Sequence, residues 1–262
     1  MPPGEFLIDR INEMVRPALF AGYFGVSITR MVTGVQYHLG GEIDIRDLAE
    51  LVGVTSKDLV LDVCSFLGGP AVQLVEAYKC KVTGLDRSKN CVAAANRIAE
   101  LVSLDGMDFV VADAANIPFD GGYFTVVWSQ GSLDHDDRWL REFDRVLAPG
   151  GRLALTLAIR GTNPNEESPT WTLQDAAKHV KALHYQVDHV EDISERDIQI
   201  GWKALDEKLS RQHDMFAKAL GEEWVRTAHK QFVEEIRKMR EGQWGNGRIT
   251  ATRVIPTLVR AP

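Results

Sequence analysis

Residues 58–158 alternate between two kinds of segment, and this alternation constrains the fold more than any other feature of the sequence. Short apolar runs such as 58–63 are typical of buried strands, whereas segments such as 69–78 repeat their apolar residues at helical spacing. The same pattern predicts helices over 43–52, 88–103 and 137–147, and strands over 81–85, 108–111, 123–128 and 151–158. Alternating strands and helices imply right-handed crossovers and a mostly parallel sheet. The sequence therefore predicts an α/β fold whose ligands bind at the carboxyl ends of the strands.

Three regions follow from this pattern. Residues 1–42 have apolar positions at helical spacing, interrupted by Pro17 and glycines, and are predicted to form a helical lid. Residues 43–160 form the predicted core, and residues 161–262 complete the sheet. This last region is predicted to contain a helix over 171–183, strands over 185–191 and 247–259, and a helical insertion near 195–240 made of two long amphipathic helices, 195–219 and 222–240. We expect the insertion to cover the site.

Composition and charge exclude several classes of function. With 45% hydrophobic and 26% charged residues in 262, the chain is globular in composition, and its net charge of −7 argues against a nucleic-acid partner. No run of 18 apolar residues predicts a membrane span, and the N-terminus lacks the features of a secretory signal. The three cysteines have no CxxC spacing, so neither a disulfide framework nor a zinc site is expected. We therefore expect a cytoplasmic protein that holds no metal and acts on a small molecule.

The end of the first predicted strand carries the most specific motif. Val60-Leu61-Asp62-Val63 is followed by the turn Cys64-Ser65-Phe66-Leu67-Gly68-Gly69. This segment resembles the first cofactor motif, D-x-G-x-G-x-G, of class I S-adenosylmethionine-dependent methyltransferases. In that family the glycines let the backbone approach the cofactor. Aligned from Asp62, the first two glycine positions hold Cys64 and Phe66, and only Gly68 remains, so the Phe66 ring must turn away from the cofactor or fill part of its volume.

Later motifs resemble the same family. Val82-Thr83-Gly84-Leu85-Asp86 is similar to the second strand, whose terminal acid binds the ribose hydroxyls, and Asp86 lies 24 residues after Asp62. Val111-Ala112-Asp113-Ala114 is similar to the third strand end, which meets the adenine. Residues 128–135 resemble the fourth-strand exit of enzymes that methylate sarcosine, dimethylglycine and ubiquinone precursors, and residues 145–153 resemble the helix, turn and fifth strand that follow.

The resemblance covers residues 37–160 and implies a Rossmann-like methyltransferase fold with a mostly parallel, seven-stranded sheet. It implies S-adenosylmethionine as the cofactor and a small-molecule methyl acceptor, with an amine as first choice and a phenol or thiol as second. The predicted cofactor-binding residues are Asp62, Cys64, Gly68, Asp86, Arg87, Asp113, Ala114 and Gln130.

Residues predicted to act on the acceptor rest on position alone. His135 follows the fourth strand, where a histidine can serve as general base, although it can equally be a surface residue beside Asp134 and Asp136. Tyr37, His38 and Trp202 are the predicted substrate-binding residues. For His38 the alternative is a loop cap, and for Trp202 it is a packing anchor.

Two other functions stay open at this point. The Cys64 and Phe66 substitutions are also consistent with a changed cofactor such as tetrahydrofolate, or with another reaction on a methyl-sized substrate. The chain could also be a non-catalytic, methyltransferase-like partner protein, which the acids retained at two strand ends disfavour. A homodimer is left open because lid helices can equally form an interface between subunits.

Overall fold

The computed structural model of the protein describes residues 32–34, 36 and 38–254. The predicted lid over residues 1–42 lies mostly outside the described residues, and so does Tyr37. Seven strands form one sheet in the order β3-β2-β1-β4-β5-β7-β6. The strands are β1 (Leu59–Val63), β2 (Lys81–Asp86), β3 (Met107–Val111), β4 (Phe124–Gln130), β5 (Leu147–Arg160), β6 (Tyr185–Asp192) and β7 (Trp244–Arg253).

Strand directions confirm the predicted mostly parallel α/β fold. Strands β1 to β5 pair in parallel, whereas β7 is antiparallel to both of its neighbours, β5 and β6. The chain moves from β1 outward to β2 and β3, and then returns to the other side of β1 with β4. This reversal of strand order leaves a crevice at the carboxyl ends of β1 and β4, where open α/β sheets bind their ligands.

Helices on both faces of the sheet bury the core. They are α1 (Gly41–Val52), α2 (Gly69–Tyr78), α3 (Lys89–Val102), α4 (Asp137–Val146) and α5 (Leu173–Ala182). Apolar residues of α1, α2 and α3 pack on one face around Trp128, and those of α4 and α5 pack on the other face around Phe143. Both of these large side chains are fully buried. The sheet is therefore the middle of three layers, and its edge at the strand ends is the part left for a site.

Helix ends follow the chemistry of their terminal residues. Helix α1 stops at Gly53, which takes a left-handed conformation with φ of 70°. Helix α3 begins after Ser88, whose side chain accepts a hydrogen bond from the Cys91 amide, and α4 begins after Asp136, which accepts one from the Arg138 amide. These capping residues explain why the predicted bounds of the core helices agree with the observed ones within about two residues.

The insertion between β6 and β7 differs from the prediction of two long helices. It contains α6 (Ser194–Asp197), a π-helical turn (Ile198–Trp202), α7 (Lys203–Arg211), α8 (His213–Leu220) and α9 (Glu222–Arg240). Gln212 leaves helical geometry and divides the first predicted helix, whereas Gly221 separates the two predicted helices and α9 has the bounds predicted for the second. Trp202, Phe216 and Phe232 belong to a separate hydrophobic cluster within the insertion, which explains why these amphipathic helices remain folded away from the main core.

The insertion lies close to the segment that precedes α1. A Cβ atom added to Gly201 in the π-helical turn would come within 2.9 Å of the Leu39 Cβ atom, so glycine permits this approach. The close contact at Gly201 brings residues 38 and 39 next to the insertion above the carboxyl edge of the sheet.

Among the described helices, none combines the length and the apolar character that a bilayer crossing requires.

Candidate functional site

A cavity of about 670 Å³ opens at the carboxyl ends of β1, β2, β3 and β4. This volume is within the range of small-molecule and cofactor sites. Six of the eight predicted cofactor-binding residues line it, namely Cys64, Asp86, Arg87, Asp113, Ala114 and Gln130. The topology thus brings together residues that lie up to 66 positions apart, from Cys64 to Gln130. This is the arrangement that the strand order predicts.

The turn after β1 keeps a left-handed backbone at the positions where the family motif has glycine. Cys64 has φ of 60°, Phe66 has φ of 51° and Gly68 has φ of 79°. Each left-handed residue other than glycine costs roughly 1–2 kcal/mol. The turn is held by hydrogen bonds from the Ser65 amide to the Leu85 carbonyl (2.9 Å) and from the Gly68 amide to the Ser65 carbonyl (2.8 Å). The glycines have therefore been replaced without loss of the backbone conformation that they usually provide.

The Phe66 ring turns largely away from the cavity. It packs with Leu67, Val72 and Cys91 in a small hydrophobic cluster and is 6% exposed. Phe66 still contributes to the cavity lining. Of the two positions that the sequence leaves open for this ring, the structure favours the one that leaves room for a ligand, with the ring as part of one wall.

Asp86 joins the β1 turn to the end of β2. Its Oδ2 atom accepts a hydrogen bond from the Phe66 amide (3.0 Å), and its Oδ1 atom accepts one from the Ser88 amide (2.8 Å). Each carboxylate oxygen can accept a second hydrogen bond. Asp86 is therefore fixed in orientation by the backbone and retains acceptor capacity for a pair of hydroxyl groups.

The remaining polar residues of the cavity have different environments. Asp113 is exposed, and its Oδ1 atom accepts a hydrogen bond from the Ala115 amide (2.8 Å). The Gln130 side chain accepts from the Trp128 indole (3.2 Å) and donates to Asp44 Oδ2 (2.5 Å). Gln130 is thus a buried link between the sheet and α1 as well as part of the cavity wall.

Two predicted cofactor-binding residues do not line the cavity. Gly68 faces β3, because a Cβ atom there would lie 2.5 Å from the Phe109 ring. Asp62 is 2% exposed, and its Oδ2 atom has no hydrogen-bond partner among the described residues. Burial and the charge of nearby Asp86 raise the pKa of Asp62 to about 8. Gly68 thus serves packing between the turn and β3, and Asp62 lies beneath the cavity.

Cys64 lines the cavity but is not a nucleophile. Burial, together with the charge of Asp86, raises the pKa of its thiol to about 12. A thiol with this pKa stays protonated at neutral pH and is therefore unreactive.

His135 does not have the environment of the predicted general base. Its Nδ1 atom accepts hydrogen bonds from the Thr170 and Trp171 amides (3.1 and 3.0 Å), so its Nε2 atom carries the proton and donates to the Ala158 carbonyl (2.9 Å). The ring also stacks on Trp171, with centroids 4.9 Å apart. Both nitrogens are bound to the backbone and His135 lies outside the cavity lining, so the structure gives it a role in holding the loop that precedes α5.

The variant His135→Ala tests this structural interpretation. Loss of the acceptor for two amides and of the ring contact is expected to lower the free energy of unfolding by about 1–3 kcal/mol. Ligand affinity at the cavity is expected to stay within about twofold of the wild type, because His135 does not line it. Urea denaturation measures the first quantity and calorimetric titration the second. His213→Ala, a histidine with a side chain 43% exposed, is the control and should change stability by less than about 0.5 kcal/mol. Strong loss of ligand binding in His135→Ala with unchanged stability would restore the catalytic interpretation.

A second cavity, of about 290 Å³, adjoins the first at Gly131. The insertion, β7 and the segment before α1 form its walls. Two of the predicted substrate-binding residues, His38 and Trp202, line it together with Asp197, Trp244 and Asn246. Nothing in the local sequence singles out Asp197 or Asn246, because their proximity depends on antiparallel β7 returning from the insertion beside β6.

A buried ion-pair network lies beside this second cavity. Asp44 is 2% exposed and receives hydrogen bonds from Arg196 (2.7 Å), Arg248 and Gln130. Arg248 is 3% exposed and also contacts Glu191, while Arg196 also bonds Asp47. The network therefore ties α1 to the insertion and to β7 at the border between the two cavities.

The fold and the cavity define an α/β protein with a cofactor-sized cavity at the carboxyl edge of its sheet, and comparison with known proteins narrows this class. Residues 60–151 match the methyltransferase domain family. The matched residues lie within the core whose motifs resemble class I methyltransferases, and the sheet has the Rossmann-like methyltransferase topology that those motifs predict.

The individual relatives and solved structures that match this chain are named for different activities. The 27-O-demethylrifamycin SV methyltransferase of Amycolatopsis mediterranei is 39% identical over 112 residues, which is 41% of each chain. The structure of phosphoethanolamine N-methyltransferase 2 of Haemonchus contortus superposes with a TM-score of 0.82 at 17% identity, over 92% of this chain and 61% of that one. The [4+2]-cyclase SpnF superposes with a TM-score of 0.72 at 21% identity, over 97% and 98% of the two chains. The chain spans less than half the length of the first curated relatives that it matches.

Proposed function

We propose that this protein transfers the methyl group of S-adenosylmethionine to a small-molecule acceptor. The observation that carries the proposal is the cavity at the strand ends, which brings Asp86, Asp113 and Ala114 to one wall beside a turn with left-handed backbone. Relatives of the matched core are named as methyltransferases, and the Haemonchus contortus enzyme is described in complexes with S-adenosylhomocysteine and with S-adenosylmethionine.

The residues present fit this cofactor. Asp86 retains acceptor positions for two ribose hydroxyls after binding its two backbone amides. Asp62 and Ser65 are buried and do not line the cavity, so they support the turn and leave the ligand contacts to their neighbours. Cys64 and Gln130 supply further walls of the cavity. When bound, the cofactor supplies an electrophilic methyl carbon.

The contribution of the chain is mainly to position the reactants and to exclude water. An in-line displacement at an activated carbon gains most from alignment of the nucleophile and from a dry site. The second cavity adjoins the first at Gly131, and the insertion forms part of its wall, so an acceptor there would be shielded beside the cofactor. This arrangement requires no general base at His135.

Calorimetric titration of the purified protein with S-adenosylmethionine and S-adenosylhomocysteine tests the proposal, with a reduced folate titrated in parallel. Micromolar binding of the adenosyl compounds is the expected result. No binding of either compound, with binding of the folate, would overturn the proposal in favour of a changed cofactor.

The variant Cys64→Gly tests the turn itself. Glycine takes positive φ without strain and removes a side chain from the cavity wall. We expect the affinity for S-adenosylhomocysteine to be unchanged or up to about tenfold higher, because without a side chain the backbone can approach the cofactor more closely. Cys64→Ala is the matched control, since it keeps the Cβ atom and the strain, and should show no gain. Loss of binding in the glycine variant alone would show that the cysteine side chain is itself needed.

A second candidate function is a different reaction on the same scaffold. The observation that favours it is the Phe66 ring in the wall of the cavity, together with the fold shared with a [4+2]-cyclase. In this case S-adenosylmethionine would bind without methyl transfer, and S-adenosylhomocysteine would not accumulate when candidate acceptors are supplied.

Three further features belong to this proposal. We place the protein in the cytoplasm, which the three free cysteines support, and a fluorescent fusion tests this. We keep the division into a lid (1–42), a cofactor-binding core (43–160) and a C-terminal region (161–262), and the insertion at Ser194–Arg240 supports the last of these regions. Light scattering distinguishes a monomer from the homodimer that lid helices could form.

A further inference from the structure

The second cavity contains polar atoms that the fold does not satisfy. Asp197 is 3% exposed, and its Oδ2 atom accepts a hydrogen bond from the Asn246 amide group (2.7 Å). Its Oδ1 atom is buried without a partner among the described residues, and Asp197 lines the cavity. An unpaired buried carboxylate oxygen costs free energy. It is therefore the position in this cavity where a hydrogen-bond donor would gain most.

His38 provides a second acceptor in the same cavity. Its Nδ1 atom contacts the Leu39 carbonyl (3.0 Å), which can only accept, so Nδ1 carries the proton. The Nε2 atom is then an acceptor, and it is buried without a partner among the described residues. Burial lowers the pKa of His38, which keeps the ring neutral. Two buried acceptors without partners, and no fully buried donor without a partner among the described residues that line this cavity, suit a ligand that donates hydrogen bonds.

The charges around Asp197 favour a cation over an anion. The groups that face it or bind its neighbours come from every surrounding element: Asp44 and Asp47 on α1, Glu191 on β6, Arg196 on α6, Arg248 on β7 and His38 before α1. Both guanidinium groups are paired with carboxylates. When Asp197 is ionised, this group of side chains contains four carboxylates and two guanidinium groups, so its net charge is negative. The carboxylates are those of Asp44, Asp47, Glu191 and Asp197.

Two indole rings complete the wall. Trp202 and Trp244 meet edge to face with ring centroids 6.3 Å apart, and the Trp202 indole N–H is fixed by a hydrogen bond to the Met239 sulfur (3.2 Å). Indole faces attract ammonium groups. Aromatic rings beside a buried carboxylate form a setting that suits a cationic amine better than a neutral phenol or thiol.

From these observations we infer that the second cavity is the acceptor site and that it binds a small amine as its ammonium ion, held by Asp197 Oδ1 and His38 Nε2 beside Trp202 and Trp244. This inference rests on the proposed function, because the cavity adjoins the proposed cofactor cavity at Gly131. The ionised Asp197 carboxylate is also placed to take the proton that an ammonium must lose before its nitrogen can act as a nucleophile.

The test uses benzylamine as the probe and benzyl alcohol, of similar shape but uncharged, as its control. Each is titrated calorimetrically into the protein with and without S-adenosylhomocysteine. We expect benzylamine to bind at least tenfold more tightly than benzyl alcohol. The variant Asp197→Asn should lose this preference, whereas Glu195→Gln, an exposed acid on the same helix that does not line the cavity, should keep it.

Proton linkage in the wild-type protein provides a second measurement that does not depend on a variant. Burial raises the pKa of Asp197 to about 7, and the nearby Asp44 charge adds to this. Because the ammonium binds the ionised carboxylate, benzylamine affinity should rise about thirtyfold between pH 5.5 and pH 8. Binding near pH 6.5 should release a proton, which titrations in buffers of different ionisation enthalpy detect.

The outcomes separate the two proposals. If S-adenosylhomocysteine binds but benzylamine binds no better than benzyl alcohol, or without proton release, the acceptor-site inference is overturned while the proposed function stands. If benzylamine binds with the expected dependence on Asp197 but the adenosyl compounds do not bind, the proposed function is overturned and the amine site remains.

Discussion

Replacing Asp44 with alanine is expected to lower the free energy of unfolding by about 3–5 kcal/mol, the largest effect among the variants considered. Asp44 is 2% exposed and accepts hydrogen bonds from two guanidinium groups and from Gln130. Without it, Arg248 would keep a buried positive charge with only the longer contact to Glu191, at 3.5 Å. Urea denaturation monitored by circular dichroism measures the change.

Asp47→Ala is the matched control for this prediction. Asp47 lies on the same helix and pairs with the same Arg196, but its side chain is 34% exposed. A pair with this exposure contributes about 1 kcal/mol or less, because water screens it. Equal losses of stability in both variants would contradict the argument that burial, and not the number of ion pairs, sets the contribution of Asp44.

Replacing Asp86 with alanine is expected to weaken the binding of S-adenosylhomocysteine by about ten- to a hundredfold. A hydrogen bond to a charged acceptor is worth about 1.5–3 kcal/mol, and the ribose has two hydroxyls to offer. Asp86 also binds the Phe66 and Ser88 amides, so its loss releases the turn that forms one wall of the cavity. Calorimetric titration measures the affinity.

Two further variants test whether the loss of affinity comes from the Asp86 carboxylate itself. Asp108→Ala removes an exposed acid from the neighbouring strand β3, which accepts a hydrogen bond from the Thr83 hydroxyl (3.2 Å) and does not line the cavity. We expect its affinity to be unchanged. Asp86→Asn keeps one acceptor oxygen and should give an intermediate loss. Unaltered binding in Asp86→Ala would remove the ribose assignment and with it the main support for an adenosyl cofactor.

Periodicity and strand-end motifs were sufficient to predict the core of this fold. Parallel strands with short crossovers place their carboxyl ends at one edge, so Asp86 and Asp113 could be assigned to a common cavity from their positions in the sequence. Capping residues such as Ser88 and Gly53 set the helix bounds locally, and local signals can be read from one segment.

The sequence is a weaker guide where the position of a side chain depends on distant parts of the chain. His135 follows β4 as predicted, but its ring is held by the amides of Thr170 and Trp171, more than 30 residues later. Gly68 matches a motif position, yet contact with the Phe109 ring decides which side of the turn it faces. Asp197 was missed because its burial depends on Asn246 in a strand that returns after the whole insertion.

The insertion leaves and re-enters the sheet at neighbouring positions, since Asp192 at the end of β6 pairs with Gly247 near the start of β7. In topological terms it is the loop of a β-hairpin, enlarged until it has a hydrophobic cluster of its own. A loop with adjacent ends can be exchanged for another without altering the register of the strands that carry it. Descendants of such a chain can therefore reshape the second cavity by exchanging the insertion while the sheet that carries the first cavity stays as it is.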